Sequence, residues 1–165
     1  MQIKKIYLAV SVTGDSVGDL AALSAVLFAR EELVKHNMIV RAACIAHWDE
    51  LIAQVEQFRP DAVLAVEGKS GKVDIEVYHQ VLPDWDRYER SYQMASGVMF
   101  HTRRLRKMHN RHIQAGYMMQ WMQKIEAPAV YVRLGVDGVD IDGMDQMMSQ
   151  GKSFAMGLMK HNGAG

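Results

Sequence analysis

Apolar residues along this chain fall into short continuous runs and helically spaced stripes, and over the first third the two kinds of block alternate. Residues 3–11 (IKKIYLAVS) form a β-branched run ended by the turn-like Thr13-Gly14-Asp15, which predicts a buried strand. Over 17–36, Leu20, Leu23, Leu27 and Val34 are spaced for one helical face, with Arg30, Glu31 and Lys35 on others and Asn37 as a stop. A second strand is predicted over 39–45, and a second helix over 48–58, ended by Pro60. Residues 61–66 (DAVLAV) read as a strand of the kind that parallel sheets bury on both faces. Strand-helix alternation of this kind predicts a three-layer α/β domain with a mainly parallel, doubly wound, flavodoxin-like sheet, and right-handed crossovers leave few other topologies.

The middle of the chain is less regular. Gly68-Lys69-Ser70-Gly71 reads as a turn, and the alternation over 72–79 (KVDIEVYH) predicts a β-hairpin or an edge strand. From 84 to 125 the pattern is helical, with two helices expected and breaks near Gly97 or His109-Asn110. A strand over 129–134 (AVYVRL), an aspartate-rich loop from 135 to 143 and a helix over 144–159 follow, with Gly151 and Gly157 weakening the helix. One domain is expected over 1–160, and the tail 161–165 should fray.

At 165 residues, with 49% hydrophobic and 23% charged residues, the chain has the composition of a globular domain rather than a disordered one. No apolar run reaches the roughly 20 residues of a membrane span, and the start lacks a signal peptide's apolar core, so no membrane contact is expected. Cys44 is the only cysteine, which excludes a disulfide framework and makes a reducing cytoplasm the default expectation. Charge balances at 19 basic and 19 acidic residues, but it is segregated. Residues 1–82 carry 8 basic and 11 acidic side chains, 83–126 carry 8 and 4, and 127–165 carry 3 and 4. The basic excess peaks at 101–112 (HTRRLRKMHNRH). There Arg103, Arg104, Arg106, Lys107 and Arg111 offer an anion-binding face for an acidic partner or nucleic acid, or simply a solvated helix face. Of the 13 methionines, 11 lie after residue 90, a bias that suits an adaptable surface and a homo-oligomer contact.

In an open parallel sheet, ligands bind beyond the carboxyl ends of the strands. The residues expected there are Thr13-Gly14-Asp15-Ser16 after strand one, His47 and Asp49 after strand two, Glu67-Gly68-Lys69-Ser70 after strand three, and Asp137 and Asp140 after the late strand. A nucleophile, a base, small residues and carboxylates on one rim suit a small-molecule hydrolase. His47 is the nearest base to Ser16 by rim position, with Asp15 or Asp49 to orient it and His161 as another histidine. Ser16-x-x-Asp19 also spells a helix-capping pattern that needs no catalysis.

Gly14-Asp15-Ser16 after an apolar strand resembles the opening block of the GDSL (SGNH) hydrolases. The segment from Arg59-Pro60-Asp61 to Glu67-Gly68 is similar to that family's run of Pro-Asp, apolar strand and glycine. The resemblance covers about residues 3–68. It implies an esterase-like reaction with Ser16 as nucleophile, and an oxyanion hole built from the Ser16 N–H and Gly68. Two family features differ: its Asn-Asp reads Ser70-Gly71 here, and Leu158 stands three residues before His161 where an aspartate is expected.

Other readings use the same residues. Gly14 at a helix start, with Gly68 and Ser70 across the rim, suits a non-catalytic nucleotide- or phosphate-binding module. KIYLAVSVTG and DAVLAVEGKSG followed by Glu76 are similar to nucleoside deoxyribosyltransferases, which implies Glu76 as an alternative nucleophile; otherwise Glu76 is an edge-strand carboxylate facing water. Pro60-Asp61 with Asp74-x-Glu76 resembles a PD-(D/E)xK nuclease whose lysine position is Tyr78. His109 and His112 at i, i+3 could ligate a metal but have no motif glutamate between them, and the aspartates of 137–145 do not match the twelve-residue EF-hand pattern, so neither metal nor cofactor is expected.

Overall fold

The computed structural model describes residues 2–71, 75–104, 113–136 and 141–159. Among the described residues six strands form one sheet: β1 (Lys5–Ser11), β2 (Ile39–Ile45), β3 (Ala62–Ser70), β4 (Ile75–His79), β5 (Gln114–Ala115) and β6 (Ala129–Val136). The helices among the described residues that cover it are α1 (Ser16–Lys35), α2 (Trp48–Phe58), α3 (Trp85–Thr102), α4 (Gln120–Gln123) and α5 (Ile141–Met159). The strand order is β2-β1-β3-β6-β4-β5, and every pairing is parallel except that of β4 with β6.

Alternate residues of the central strands point into two separate cores, giving three layers. Leu8, Val10, Leu64, Val66, Val130 and Val132 meet α1, α3 and α5 on one face. Tyr7, Ala9, Val63, Ala65, Ala129 and Tyr131 meet α2 and α4 on the other. Burial on both faces explains why β1, β3 and β6 read as unbroken apolar runs.

The expected α/β architecture holds, with local corrections. The order β2-β1-β3 suits a flavodoxin-like sheet, but β6 lies beside β3 and β4 runs against it, so the order departs from that plan beyond β3. Gly68, Lys69 and Ser70 do not turn: they continue β3 in parallel register with β6. Strand β4 makes no hairpin with β3 and is not an edge, because β5 pairs on its far side. The two-residue strand β5 and the short α4 stand within the stretch expected to be wholly helical.

Helix α1 buries a face other than the one its leucines suggest. Leu20, Leu27 and Val34 are 52%, 50% and 47% exposed, whereas Ala21, Ala22, Ala25 and Ala29 are buried. Close approach of backbones sets this choice. A Cβ added to Gly18 would lie 2.4 Å from the Gly68 carbonyl oxygen, and one added to Gly151 of α5 would lie 2.5 Å from that of Ala25. Only small side chains fit such a contact, and α3 meets α5 the same way through Gly97 and Gly157. The two glycines expected to weaken α5 instead permit its packing.

One buried amide ties the far half of the sheet together. The Gln80 side-chain nitrogen donates to the carbonyls of Met122, Ile125 and Ala127 at 2.8, 3.1 and 3.2 Å, and its oxygen accepts from the Ala129 amide at 2.9 Å. The Gln80 backbone N–H donates to Ser91 Oγ at 2.8 Å, and that hydroxyl donates to the Ala129 carbonyl at 2.7 Å. Replacing Gln80 with leucine strands several buried groups, each costing ~1–3 kcal/mol. The Q80L variant should lose about 3 kcal/mol or more in urea unfolding, and a loss below about 1 kcal/mol contradicts this role.

Candidate functional site

Parallel pairing brings the carboxyl ends of β1, β2 and β3 to one edge, with Ser11 opposite both Ile45 and Glu67. The loop after β1 is closed by its own carboxylates. Asp15 caps α1, accepting from the Gly18 amide at 3.0 Å, and its other oxygen accepts from the Ser70 amide and hydroxyl at 2.8 Å each. Asp19 reaches back to the Thr13 and Gly14 amides at 3.0 and 3.1 Å. Gly14 supplies the left-handed backbone (φ +92°) that this turn requires. The Ser70 amide foremost, then the Gly18 amide and the Ser70 hydroxyl, hold the Asp15 carboxyl below the ordinary aspartate value.

These contacts reassign several expected site residues. Asp15, not Ser16, is the helix cap, and its carboxylate is spent on Gly18 and Ser70 rather than on a histidine. Ser16 opens α1 as an exposed residue, and His47 stands at the start of α2 without a side-chain capping bond. Among the described residues, no hydrogen bond joins Ser16 to His47. Gly68 is backbone-packed against Gly18, and Ser70 is tethered to Asp15. Asp61, proposed as a nuclease carboxylate, accepts from the Lys4 and Lys5 amides at 2.8 and 2.9 Å at the opposite end of β3. The Arg103 and Arg104 guanidinium groups lie over the Phe100 ring, 5.2 and 4.7 Å from its centre. Arg106, Lys107, His109, Arg111, His112, Asp74, Asp137, Asp140 and His161 lie outside the described residues, as does the side chain of Asp142. Among the described residues, no group of three or more His, Cys, Asp or Glu is placed to hold a metal ion, and no helix is long and apolar enough to cross a membrane.

The strongest concentration of polar chemistry lies on the α2/α4 face, where three strands align their side chains. Glu67 of β3 and Glu76 of β4 both stand opposite Arg133 of β6. Arg133 Nε lies 3.2 Å from Glu67 Oε2, and Nη1 lies 3.7 Å from Glu76 Oε2. Two phenols complete the group: Tyr131 donates to Glu67 at 2.7 Å and Tyr78 to Glu76 at 2.6 Å. The side chains of Glu67, Glu76 and Arg133 are 18%, 30% and 43% exposed, so the cluster is half-sunk yet reachable. Beside it, Trp48 and Trp121 stack at 3.9 Å and present their edges to Tyr131. Glu76 is therefore an interior-strand carboxylate with a guanidinium and a phenol for company, not an edge residue facing water.

Burial and then the Glu67 bond push the Tyr131 phenol well above its ordinary range, and burial with Glu76 pushes Tyr78 up to about 12. Burial works against the charge of Arg133, but Tyr131 and Glu67 outweigh it and hold the guanidinium charged. At neutral pH the cluster thus holds two neutral phenols, each donating to a glutamate, beside a fixed cation. The sequence places Glu67 on the rim after the third strand but gives it no catalytic role, and it does not single out Tyr131 or Arg133. Their one visible signal was charge ending or interrupting strands that are otherwise apolar.

No family profile and no curated protein matches the sequence. Solved structures do match the fold. The N-acetylmuramyl-L-alanine amidase Ami1 of Mycobacterium smegmatis superposes with a TM-score of 0.80 at 13% identity, covering 100% of both chains. The N-acetylmuramoyl-L-alanine amidase AmiC2 of Nostoc punctiforme gives 0.68 at 13% identity, covering 98% of each. The catalytic domain of the amidase CwlV from Bacillus (Paenibacillus) polymyxa gives 0.70 at 12% identity, covering 96% of this chain and 98% of its own. At these identities the likeness is one of fold. It overturns the GDSL (SGNH) resemblance: the neighbours are amidases, and Gly14-Asp15-Ser16 is the capped start of a helix rather than that family's signature.

The depressed Asp15 carboxyl makes a pH prediction with a definite sign. Its bonds stabilise the fold fully above the unfolded value of 3.8 and are lost as pH falls through the lower folded value. Urea unfolding should therefore separate wild type from Asp15→Asn most at pH 5–7 and bring them together as the solution is acidified below about 4. A gap that widens on acidification contradicts the assignment.

Proposed function

We propose that this chain hydrolyses an amide bond of the N-acetylmuramoyl-L-alanine type at the Glu67–Arg133–Glu76 cluster. The observation that carries the reading is the alignment of these three side chains, with two neutral phenols, on the α2/α4 face of an amidase-like sheet. Amide hydrolysis needs a base for water and a positive or hydrogen-bonding partner for the oxyanion. Glu67 takes a proton from water as the water oxygen bonds to the carbonyl carbon. Arg133, partly exposed beside it, faces the negative charge that develops on the carbonyl oxygen. The C–N bond then breaks, and the departing amine recovers the proton from Glu67. The Trp48–Trp121 pair offers an apolar wall against which a sugar or peptide can lie.

A second reading keeps the ligand class and drops the chemistry. It is favoured by the pairing already present: both carboxylates are engaged by Arg133 and a phenol, an arrangement equally suited to binding without turnover. Incubation with N-acetylmuramoyl-L-alanyl peptide separates the readings. Release of the free peptide amine, reduced roughly 10²–10⁴-fold by Glu67→Gln, is the expected result. Calorimetric binding without release selects the second reading, and neither binding nor release overturns both.

A further inference from the structure

A second site lies at the opposite end of the sheet, where β3 and β6 begin. A cavity of about 570 Å³ opens there between α2, the start of α3 and the chain after α4. This volume falls within the ~300–1,000 Å³ range of small-molecule sites. Four cations stand around it: Arg59, Arg87, Arg90 and Lys124. Arg87 and Arg90 share a face of α3 at i, i+3 spacing. Arg59 is placed by a left-handed residue (φ 52°) that ends α2 and donates its N–H to the Val55 carbonyl. Among the described residues three carboxylates, Glu56, Asp61 and Glu126, stand against these four cations, and Asp61 is turned to the Lys4 and Lys5 amides.

Arg87 carries the argument. Its Nη2 donates to the Ile125 carbonyl at 2.6 Å, but its Nε is buried with no hydrogen-bond partner. Only one other buried side-chain polar atom among the described residues is unpartnered, Gln150 Oε1, and Gln150 does not line this cavity. An unpaired buried donor on a cation is expensive, and Arg87 lines a space large enough to hold an acceptor. The Nε edge of a guanidinium is also the edge that grips a carboxylate through parallel hydrogen bonds. Below the cations the floor is apolar, with Ile52 and Val55 of α2.

We propose that this cavity binds an organic carboxylate, its carboxylate on Arg87 with Arg90 alongside and its apolar body on Ile52 and Val55. A bare inorganic anion would satisfy the charge but leave the floor empty. The site is independent of the amide-hydrolase reading, since it shares no residue with the Glu67–Arg133–Glu76 cluster.

The test is side-chain NMR of the arginine Nε–Hε signals in the full chain, titrated with N-acetyl-L-leucine. The Arg87 signal is identified by its loss in Arg87→Lys. A saturable shift of that signal is expected, with no response to N-acetyl-L-leucinamide, which lacks the carboxylate. Both Arg87→Lys and Arg90→Gln should weaken binding at least tenfold by calorimetry, so one variant suffices if the other fails to fold. The proposal is overturned if no saturable shift occurs, if the neutral amide or inorganic phosphate binds as tightly, or if neither variant changes affinity. None of these readouts depends on turnover, so they stand apart from the hydrolysis assay.

Discussion

The far half of this molecule is organised around the Gln80 side chain. A primary amide has two donor hydrogens and an acceptor oxygen, and Gln80 uses both ends inside a region that water does not reach. It joins the end of β4, the carbonyls around and after α4, and the first amide of β6. Strand β4 arrives antiparallel in an otherwise parallel sheet, and Gln80 follows its last residue directly. By pinning that end against β6, the amide keeps Tyr78 beside Tyr131 and Glu76 beside Arg133. Ile125 and Ala127, whose carbonyls it holds, also line the basic cavity. One satisfied polar group therefore supports both the mixed-charge cluster and the cationic recess.

The two sites use charge in opposite ways. In the cluster, one guanidinium bridges two glutamates on neighbouring strands, and burial with the glutamate bonds keeps the phenols protonated. In the recess, cations outnumber carboxylates and a guanidinium nitrogen lacks an acceptor. The chain's overall neutrality conceals this contrast. The basic excess of 83–126 is not confined to the cluster at 101–112, because Arg87, Arg90 and Lys124 belong to the same segment and converge on the recess.

Much of the layering was legible from residue order. Continuous apolar runs marked β1, β3 and β6 because buried parallel strands are covered on both faces. The reading failed where local pattern and tertiary contact disagree. Leu20, Leu27 and Val34 are spaced as a core stripe, yet the backbone contact at Gly18 and Gly68 turns the alanines inward instead. The run from Gly68 to Ser70 has the composition of a turn but is held straight by pairing with β6. The cluster was half visible: Glu76 stands out as an alternative nucleophile or as an edge-strand carboxylate facing water. Its partners depend on β6 lying between β3 and β4, and strand order is not written in periodicity. The recess was invisible because its cations come from the end of α2, the start of α3 and the chain after α4.

The glycine contacts on the α1, α3 and α5 side carry a consequence for how such a protein can diversify. At Gly18, Gly68, Gly97, Gly151 and Gly157, main chain touches main chain or its immediate neighbours, and even one added carbon collides. That half of the slab has almost no freedom to accept new side chains. Away from those contacts, a short helix, a two-residue strand and stacked indoles leave surface to remodel. The molecule thus has an inheritable rigid back and an adaptable front.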